Sequence, residues 1–259
     1  MNLQRQLIIF LSIYVLLAIL PLFIYDTPYV LSLLVACFVW GALASVWNFI
    51  MGYAGIFTFG QFAFFVIGAY TSGMVTKYIG VSPWFGMPLG GVAAGVVGLV
   101  VGLPCLRLKG AYIALITWGL HLVMAPLLKV GGAIGTGGST GLMSIPPLEL
   151  GGYFFPRVQL IPWYYAALVI SFLLLFVVYR IISSSVGLGF IGLRDSEDFA
   201  KSLGLNEYKY KLMVFGISAF LTGIIGAFYA HYAGIISPRL LGLDIFLLAM
   251  IMLIIGGIG

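Results

Sequence analysis

The stretch LIIFLSIYVLLAILPLFIY, residues 7–25, contains no charged side chain in 19 positions. An α-helix rises about 1.5 Å per residue and needs roughly 20 apolar residues to cross a bilayer core of about 30 Å. Comparable apolar runs follow at 29–50, 54–76, 84–106, 110–128, 161–179 and 212–236, and an eighth begins at Ile245. These runs predict a protein that crosses the membrane several times.

The overall composition favours the same interpretation. Charged residues make up 7% and hydrophobic residues 63% of the 259 positions, whereas soluble domains average about 25% charged residues. Too few polar groups are present to cover a water-soluble fold of this size, so lipid must solvate most of the surface. We expect an all-α fold, with a single transmembrane domain over residues 1–259 built as a polytopic helical bundle of about eight hydrophobic segments.

The distribution of basic residues predicts the orientation, because Lys and Arg collect on the cytoplasmic side of membrane proteins. With the N-terminus in the cytoplasm, eight basic residues face inward and four face outward. The inward set is Arg5, Arg107, Lys109, Arg180, Arg194, Lys201, Lys209 and Lys211, and the outward set is Lys77, Lys129, Arg157 and Arg239. Since these charges are scattered among helix ends, the net charge of +5 does not indicate nucleic-acid binding.

The connection at residues 180–211 holds nine of the nineteen charged residues. Within it, Asp195 fits a helix N-cap and Gly204 fits a C-terminal stop, which predicts a helix of about two turns between them. Phe199, Ala200 and Leu203 then share one face. A helix this short is not stable alone in water, so we expect it to rest on the membrane domain or on a partner protein.

The residues give no sign of catalysis. The outer connection, roughly 129–160, is rich in Gly and Pro, which favours turns over regular structure, and its GTGGSTG stretch matches no phosphate-binding motif. No acid–base pair or metal-ligand cluster appears in the sequence. We expect His121 to make one hydrogen bond between helices and His231 to lie in an interfacial aromatic belt. The chain is predicted not to be an enzyme and to bind no cofactor of its own.

The predicted spans contain essentially no Asp, Glu, Lys or Arg, which argues against ion coupling within the membrane. Mildly polar residues are the candidates for a substrate pathway: Asn48, Thr58, Gln61, Tyr70, Thr71, Thr117, Ser218 and Thr222. Residues 52–75 are richest in them and in glycine, which suits a pathway wall and a tightly packed helix equally well. Small residues also recur every four positions, a spacing typical of close helix packing in lipid, at Ala94, Gly98 and Gly102 and at Ala219, Gly223 and Ala227.

Several of these stretches resemble one known family. NFIMGYAGIFTFGQFAFFVIGAYTSGMV at 48–75, LRLKGAYIALITWGL at 106–120, GTGGSTGL at 135–142 and RDSEDFAKSLGLNEYKYKLMVFGISAFLTGIIGAFYAHY at 194–232 are similar, in this order, to permease subunits of branched-chain amino-acid ABC importers. The terminal GGIG fits as well. Because family members continue past that motif, we expect the C-terminus to be incomplete.

The resemblance implies a pore formed with a homologous second permease subunit in the inner membrane of a prokaryote. It also implies two cytoplasmic ATPase subunits that use ATP and Mg²⁺, and an extracytoplasmic substrate-binding protein. Branched-chain or other hydrophobic amino acids would pass by alternating access. By motif match, the loop at 180–211 would couple to the ATPases through Arg194, Asp195, Glu197, Asp198, Phe199, Lys201, Leu203 and Gly204.

Three alternatives remain open. A permease of the same superfamily could carry urea, short amides or another small polar solute. A membrane anchor subunit of an enzyme complex is a different class, and the lack of an acid–base pair counts against it. A passive channel would leave the short amphipathic helix without a purpose.

Overall fold

The computed structural model describes residues 3–24, 27–105, 108 and 110–257. Arg107, Lys109 and the last two residues of the terminal GGIG lie outside the described residues. Helices account for most of the described chain, and they are α1 (Leu3–Ile19), α2 (Pro21–Ile24), α3 (Pro28–Asn48), α4 (Gln61–Met74), α5 (Pro83–Cys105), α6 (Ala111–Val130), α7 (Leu160–Ile182), α8 (Ser185–Asp195), α9 (Glu197–Ser202), α10 (Glu207–Ala233) and α11 (Leu243–Gly256).

Six helical stretches among the described residues are long and apolar enough to cross a membrane. They are Pro28–Tyr53, Gln61–Ile79, Pro83–Cys105, Ala111–Ile134, Leu160–Ile182 and Glu207–Ala233, and two shorter apolar helices are Phe10–Ile24 and Leu243–Gly256. The polytopic helical bundle is therefore confirmed. The count of eight spans and the side of the N-terminus stay predictions.

Helices α4, α5 and α10 form the closely packed centre of the bundle. The two stripes of small residues face each other there: a Cβ added to Gly98 would lie 2.5 Å from the Cβ of Ala219, and one added to Gly223 would lie 2.5 Å from that of Ala94. Gly68 of α4 meets the backbone of Gly223. The four-residue spacing therefore lets three helix backbones approach without intervening side chains.

The outer connection is more regular than the sequence predicted. It contains 3₁₀ turns at Gly131–Ile134 and Gly138–Thr140 and the strands β1 (Leu142–Met143), β2 (Glu149–Leu150) and β3 (Tyr153–Phe154). β2 pairs with β3, and β1 pairs antiparallel with β4 (Ile235–Ile236), which follows α10. Gly141 makes the β1–β4 contact possible, because any side chain there would strike the carbonyl of Ile236.

This connection folds over the outer end of α10 and buries His231. The His231 ring is fully buried and lies at hydrogen-bond distance, 2.8 Å in each case, from the Ser72 hydroxyl and the Pro146 carbonyl. His231 is therefore covered by protein, and the prediction that it lies in an interfacial aromatic belt is wrong. The sequence alone could not show that the outer connection covers it.

The inner connection at 180–211 is helical as well. α7 continues to Ile182, and α8 follows at once, with the Ser184 hydroxyl accepting a hydrogen bond from the amide of Gly187 as its N-cap. Asp195 is the last residue of α8, so its prediction as an N-cap is wrong. Ser196 separates α8 from α9 with an extended backbone.

The predicted stop at Gly204 is confirmed. Gly204 has a φ of +85°, and its amide bonds to the carbonyl of Lys201 at 2.9 Å while that of Leu205 bonds to the carbonyl of Ala200 at 3.1 Å. This pair of bonds is the usual glycine-terminated helix end. Leu203 lies beyond the helix, so it does not share a buried face with Ala200 as the sequence predicted.

Candidate functional site

The chain is irregular at residues 54–60, here called the broken segment. α3 passes into a single π-helical turn, Phe49–Tyr53, and α4 does not begin until Gln61. Gly55 has a φ of +68°, a conformation that residues with a Cβ rarely adopt, so the glycine permits the change of direction. The sequence predicted one continuous segment over 54–76. That prediction is wrong at its start.

Side chains supply the hydrogen bonds that the broken segment cannot make as a helix. The indole Nε1 of Trp47 donates to the carbonyl of Thr58 at 2.9 Å. The amide of Phe59 donates to the Thr117 hydroxyl at 3.0 Å, and the amide of Gly60 donates to the Thr58 hydroxyl at 3.2 Å. These bonds hold the connection between the two predicted spans in one conformation. The broken segment is therefore a specified part of the fold.

A polar cluster lies where α4 begins. Gln61 Nε2 donates to the Ser218 hydroxyl at 3.3 Å, and the Thr222 hydroxyl donates to Gln61 Oε1 at 2.8 Å. All three side chains are fully buried, and the bonds join α4 to α10. Five of the eight pathway candidates thus meet at or beside the broken segment, namely Thr58, Gln61, Thr117, Ser218 and Thr222.

The remaining three candidates lie elsewhere. The Tyr70 hydroxyl donates to the carbonyl of Ile236 at 3.2 Å, which ties α4 to β4. Thr71 follows it on α4 and is half-buried. Asn48 ends α3 beside a small recess that Met252 of α11 also lines. A role of these eight residues in a substrate pathway stays a prediction.

An open apolar cleft of about 460 Å³ lies beside the broken segment. Its walls come from the broken segment, α6 and the start of α11, and they are Phe59, Ala111, Ala114, Leu115, Trp118, Leu243, Phe246 and Leu247. The ring of Phe246 lies 4.7 Å from that of Trp118 and 5.8 Å from that of Phe59. The sequence does not identify these aromatic residues, because within an apolar run the pattern is the same for an aromatic side chain that faces a cleft and for one that faces lipid.

His121 lies behind the cleft. Its ring stacks on that of Trp118 at 5.0 Å and lies 5.1 Å from that of Phe246. The hydrogen bond that the sequence predicts between His121 and another helix stays a prediction. The Nδ1 atom of His121 is buried and has no hydrogen-bond partner among the described residues. Such an atom is costly to bury, so the wall behind the cleft is not a simple apolar core.

Four charged side chains connect α9 to the start of α10. Lys211 pairs with both Glu197 and Glu207, and Lys201 pairs with Glu207 at 2.5 Å. The hydrogen bond to Glu207 raises the pKa of Lys201 above its usual value. Two residues that the sequence assigned to ATPase contact, Glu197 and Lys201, therefore make ion pairs within this chain.

The other coupling candidates divide into two groups. Arg194 and Asp195 form an ion pair at 2.9 Å at the end of α8. Asp198 and Leu203 are exposed, Leu203 over 68% of its surface. The side chain of Phe199 lies outside the described residues. Arg194 and Asp195 are exposed as well, so both groups present surface to a partner.

The fold and the site define a class of protein: a polytopic membrane protein in which an irregular connection between two predicted spans lies beside an apolar cleft. A family model described as the permease component of branched-chain amino acid transport systems matches residues 29–259. The chain belongs to this family, as its motifs predicted.

Two curated relatives carry the same name. The chain is 31% identical over 233 residues to the high-affinity branched-chain amino acid transport system permease protein LivM of Escherichia coli, and equally to that of Salmonella typhimurium. Each alignment covers 82% of this chain and 55% of the relative, so the chain spans about half the length of the curated relatives it matches. No solved structure matches the chain.

Proposed function

We propose that the chain is the membrane-spanning permease subunit of an ABC importer and passes branched-chain amino acids across the inner membrane of a prokaryote by alternating access. The observation that carries this proposal is the broken segment beside the apolar cleft. Together with α6 and α11, this segment bounds an apolar recess of the size and character that small-molecule sites have.

The chemistry of the cleft suits a leucine-like cargo. Its lining is almost entirely aliphatic and aromatic, which favours a branched aliphatic side chain over urea or a short amide. The zwitterionic end of the cargo needs polar partners. α4 begins directly after the broken segment, and the positive end of a helix dipole favours a carboxylate. α11 also begins in the cleft wall, but Asp244 already supplies a carboxylate in its first turn.

The proposal assigns partners to separate surfaces. A homologous permease subunit covers the open side of the cleft and completes the pore. Two ATPase subunits, which use ATP and Mg²⁺, contact the cytoplasmic surface formed by α8 and α9, where Asp198 and Leu203 are exposed. An extracytoplasmic binding protein delivers the cargo to the outer surface. ATP binding and hydrolysis then bias the pore between inward- and outward-open states.

The test begins with the assembly as it exists in native membranes. The tagged chain is purified in mild detergent, the co-purifying proteins are identified by mass spectrometry, and the complex is reconstituted in liposomes with its binding protein. ATP-dependent uptake of radiolabelled leucine in excess of urea is the expected result. Uptake without ATP would make the chain part of a channel, and uptake of urea in preference to leucine would change the cargo.

A matched pair of variants tests the cleft itself. Ala114→Phe fills the cleft from α6, whereas Leu122→Phe places the same side chain on an exposed position of α6 outside the cleft lining. We expect Ala114→Phe to abolish leucine uptake while the complex still assembles, and Leu122→Phe to transport normally. Equal uptake by the two variants would exclude the cleft from the pathway.

A further inference from the structure

Arg194 makes a contact that its sequence position does not suggest. Its Nη1 donates to the carbonyl of Gly52 at 2.8 Å, and its Nε donates to Asp195 Oδ1 at 2.9 Å. Gly52 belongs to the π-helical turn that ends at Tyr53, immediately before the broken segment. The guanidinium group therefore binds the end of the π-helical turn that follows α3, through one of the carbonyls that a helix end leaves free.

The aliphatic part of Arg194 makes a second contact, three residues further along the chain. A Cβ added to Gly55 would lie 2.7 Å from the Cγ of Arg194, so the side chain lies directly against the glycine backbone. The amide of Ile56 donates a hydrogen bond to the carbonyl of Ile50 at 3.0 Å. This bond closes a turn that contains both residues contacted by Arg194, Gly52 and Gly55. Arg194 thus holds both sides of the point where the broken segment begins.

α8 is itself held firmly against its neighbours. The ring of Phe190 lies 5.9 Å from that of Phe49 in the π-helical turn and 5.8 Å from that of Tyr210 in α10. The Glu197–Lys211 ion pair connects α9 to α10 in addition. A displacement of α8 and α9 would therefore act on the start of the broken segment, and Phe59 in the cleft wall lies only a few residues beyond.

We propose that Arg194 is a positioning residue that passes movement of α8 and α9 to the broken segment, and so sets the position of Phe59 against Trp118 and Phe246 in the cleft. This inference rests on the proposed function, because it assumes that a partner ATPase moves α8 and α9. It differs from the expectation drawn from the sequence, in which Arg194 contacts the ATPase directly. The hydrogen bond to Gly52 turns the guanidinium group inward instead.

The experiment compares Arg194→Gln with Arg180→Gln in the reconstituted full assembly. Arg180 is an exposed basic residue near the end of α7, on the same side of the membrane, so it controls for loss of charge. Leucine uptake and ATP hydrolysis are measured together. For Arg194→Gln we expect normal recovery of the ATPase subunits, retained hydrolysis and a fall of roughly tenfold in leucine taken up per ATP, as for loss of one charge-assisted hydrogen bond.

A second variant acts from the other side of the contact. Gly55→Ala pushes the Arg194 side chain away without changing its charge and also strains the backbone at a φ of +68°, so we expect it to uncouple transport from hydrolysis at least as strongly as Arg194→Gln. Arg194→Lys, which retains the charge but has a single donor group, should lie between wild type and Arg194→Gln. Amide exchange of residues 54–60 should rise in Arg194→Gln while the thermal midpoint stays unchanged, which a merely structural role would not produce.

The outcomes separate the inference from the proposed function. If wild type shows no ATP-driven uptake, the proposed function falls and the inference falls with it. If wild type transports leucine but Arg194→Gln leaves uptake per ATP unchanged, only the inference is overturned. Loss of the ATPase subunits from the Arg194→Gln complex would also overturn it, because Arg194 would then be a direct contact.

Discussion

At the scale of single residues, Thr117 fixes the broken segment through one hydroxyl group. Its Oγ1 accepts the amide of Phe59 and donates within α6 to the carbonyl of Ile113 at 2.9 Å. Thr117→Val keeps the shape but leaves the Phe59 amide without its partner. An unsatisfied buried donor costs about 1–3 kcal/mol, so we expect faster hydrogen exchange over residues 54–60 and a lower thermal midpoint in detergent.

Thr117→Ser is the matched control, because it removes a methyl group and keeps the acceptor. We expect its exchange over residues 54–60 to stay close to that of wild type. If Thr117→Val and wild type exchange at the same rate there, the hydroxyl does not hold the segment. The measurement uses the purified chain and does not depend on which cargo it carries.

At the scale of helices, the packing of α4 against α10 depends on glycine. A Cβ on Gly68 would strike the backbone of Gly223, which is not a flexible side chain that can move aside. Overpacking of this kind costs about 1–3 kcal/mol. We therefore expect Gly68→Ala to lower the thermal midpoint of the purified protein.

Gly119 in α6 provides the comparison, since an added Cβ there meets nothing within 4 Å. Alanine is favoured over glycine within a helix by about 1 kcal/mol, so Gly119→Ala should be neutral or stabilising. Measured side by side by thermal unfolding in the same detergent, Gly68→Ala should lower the midpoint and Gly119→Ala should leave it unchanged or raise it. Equal midpoints would contradict the close contact between α4 and α10.

The sequence predicted most of the helices, but not all of them. Apolar runs and the spacing of small residues predicted the helical bundle, because a helix in lipid satisfies its own backbone and needs no partner to be recognised. α8 was missed because Gly187, Gly189 and Gly192 make residues 185–195 a poor helix by propensity. Asp195 and Ser196 are equally suitable N-cap residue types, so the sequence alone does not show which of them precedes α9.

The candidate site was predictable only in part. Polar residues in apolar runs are rare and expensive, so Gln61, Ser218 and Thr222 could be selected from the sequence, and the structure brings them together. The cleft could not be predicted, because it depends on how α6 and α11 are placed in space. Hydrophobicity along the chain carries no information about that placement.

At the scale of the whole molecule, the candidate spans predict that α9 and the outer connection lie on opposite sides of the membrane. α7 (Leu160–Ile182) is long enough to cross and separates Ser139 from Asp198, both of which are exposed. The excess of basic residues predicts that α9 lies in the cytoplasm. Single cysteines at these two positions, in a background with Cys37→Ala and Cys105→Ala, can be tested with a maleimide that does not cross membranes.

We expect Ser139→Cys to react in intact cells and Asp198→Cys to react only in inverted vesicles. Labelling of both from one side would show that α7 does not span, and the reversed pattern would place α9 outside. A reporter at the N-terminus then decides the role of the short helix Phe10–Ile24. If that helix crosses the membrane, six crossings separate the N-terminus from α9, and both lie on the cytoplasmic side. If it does not cross, five crossings separate them, and they lie on opposite sides of the membrane.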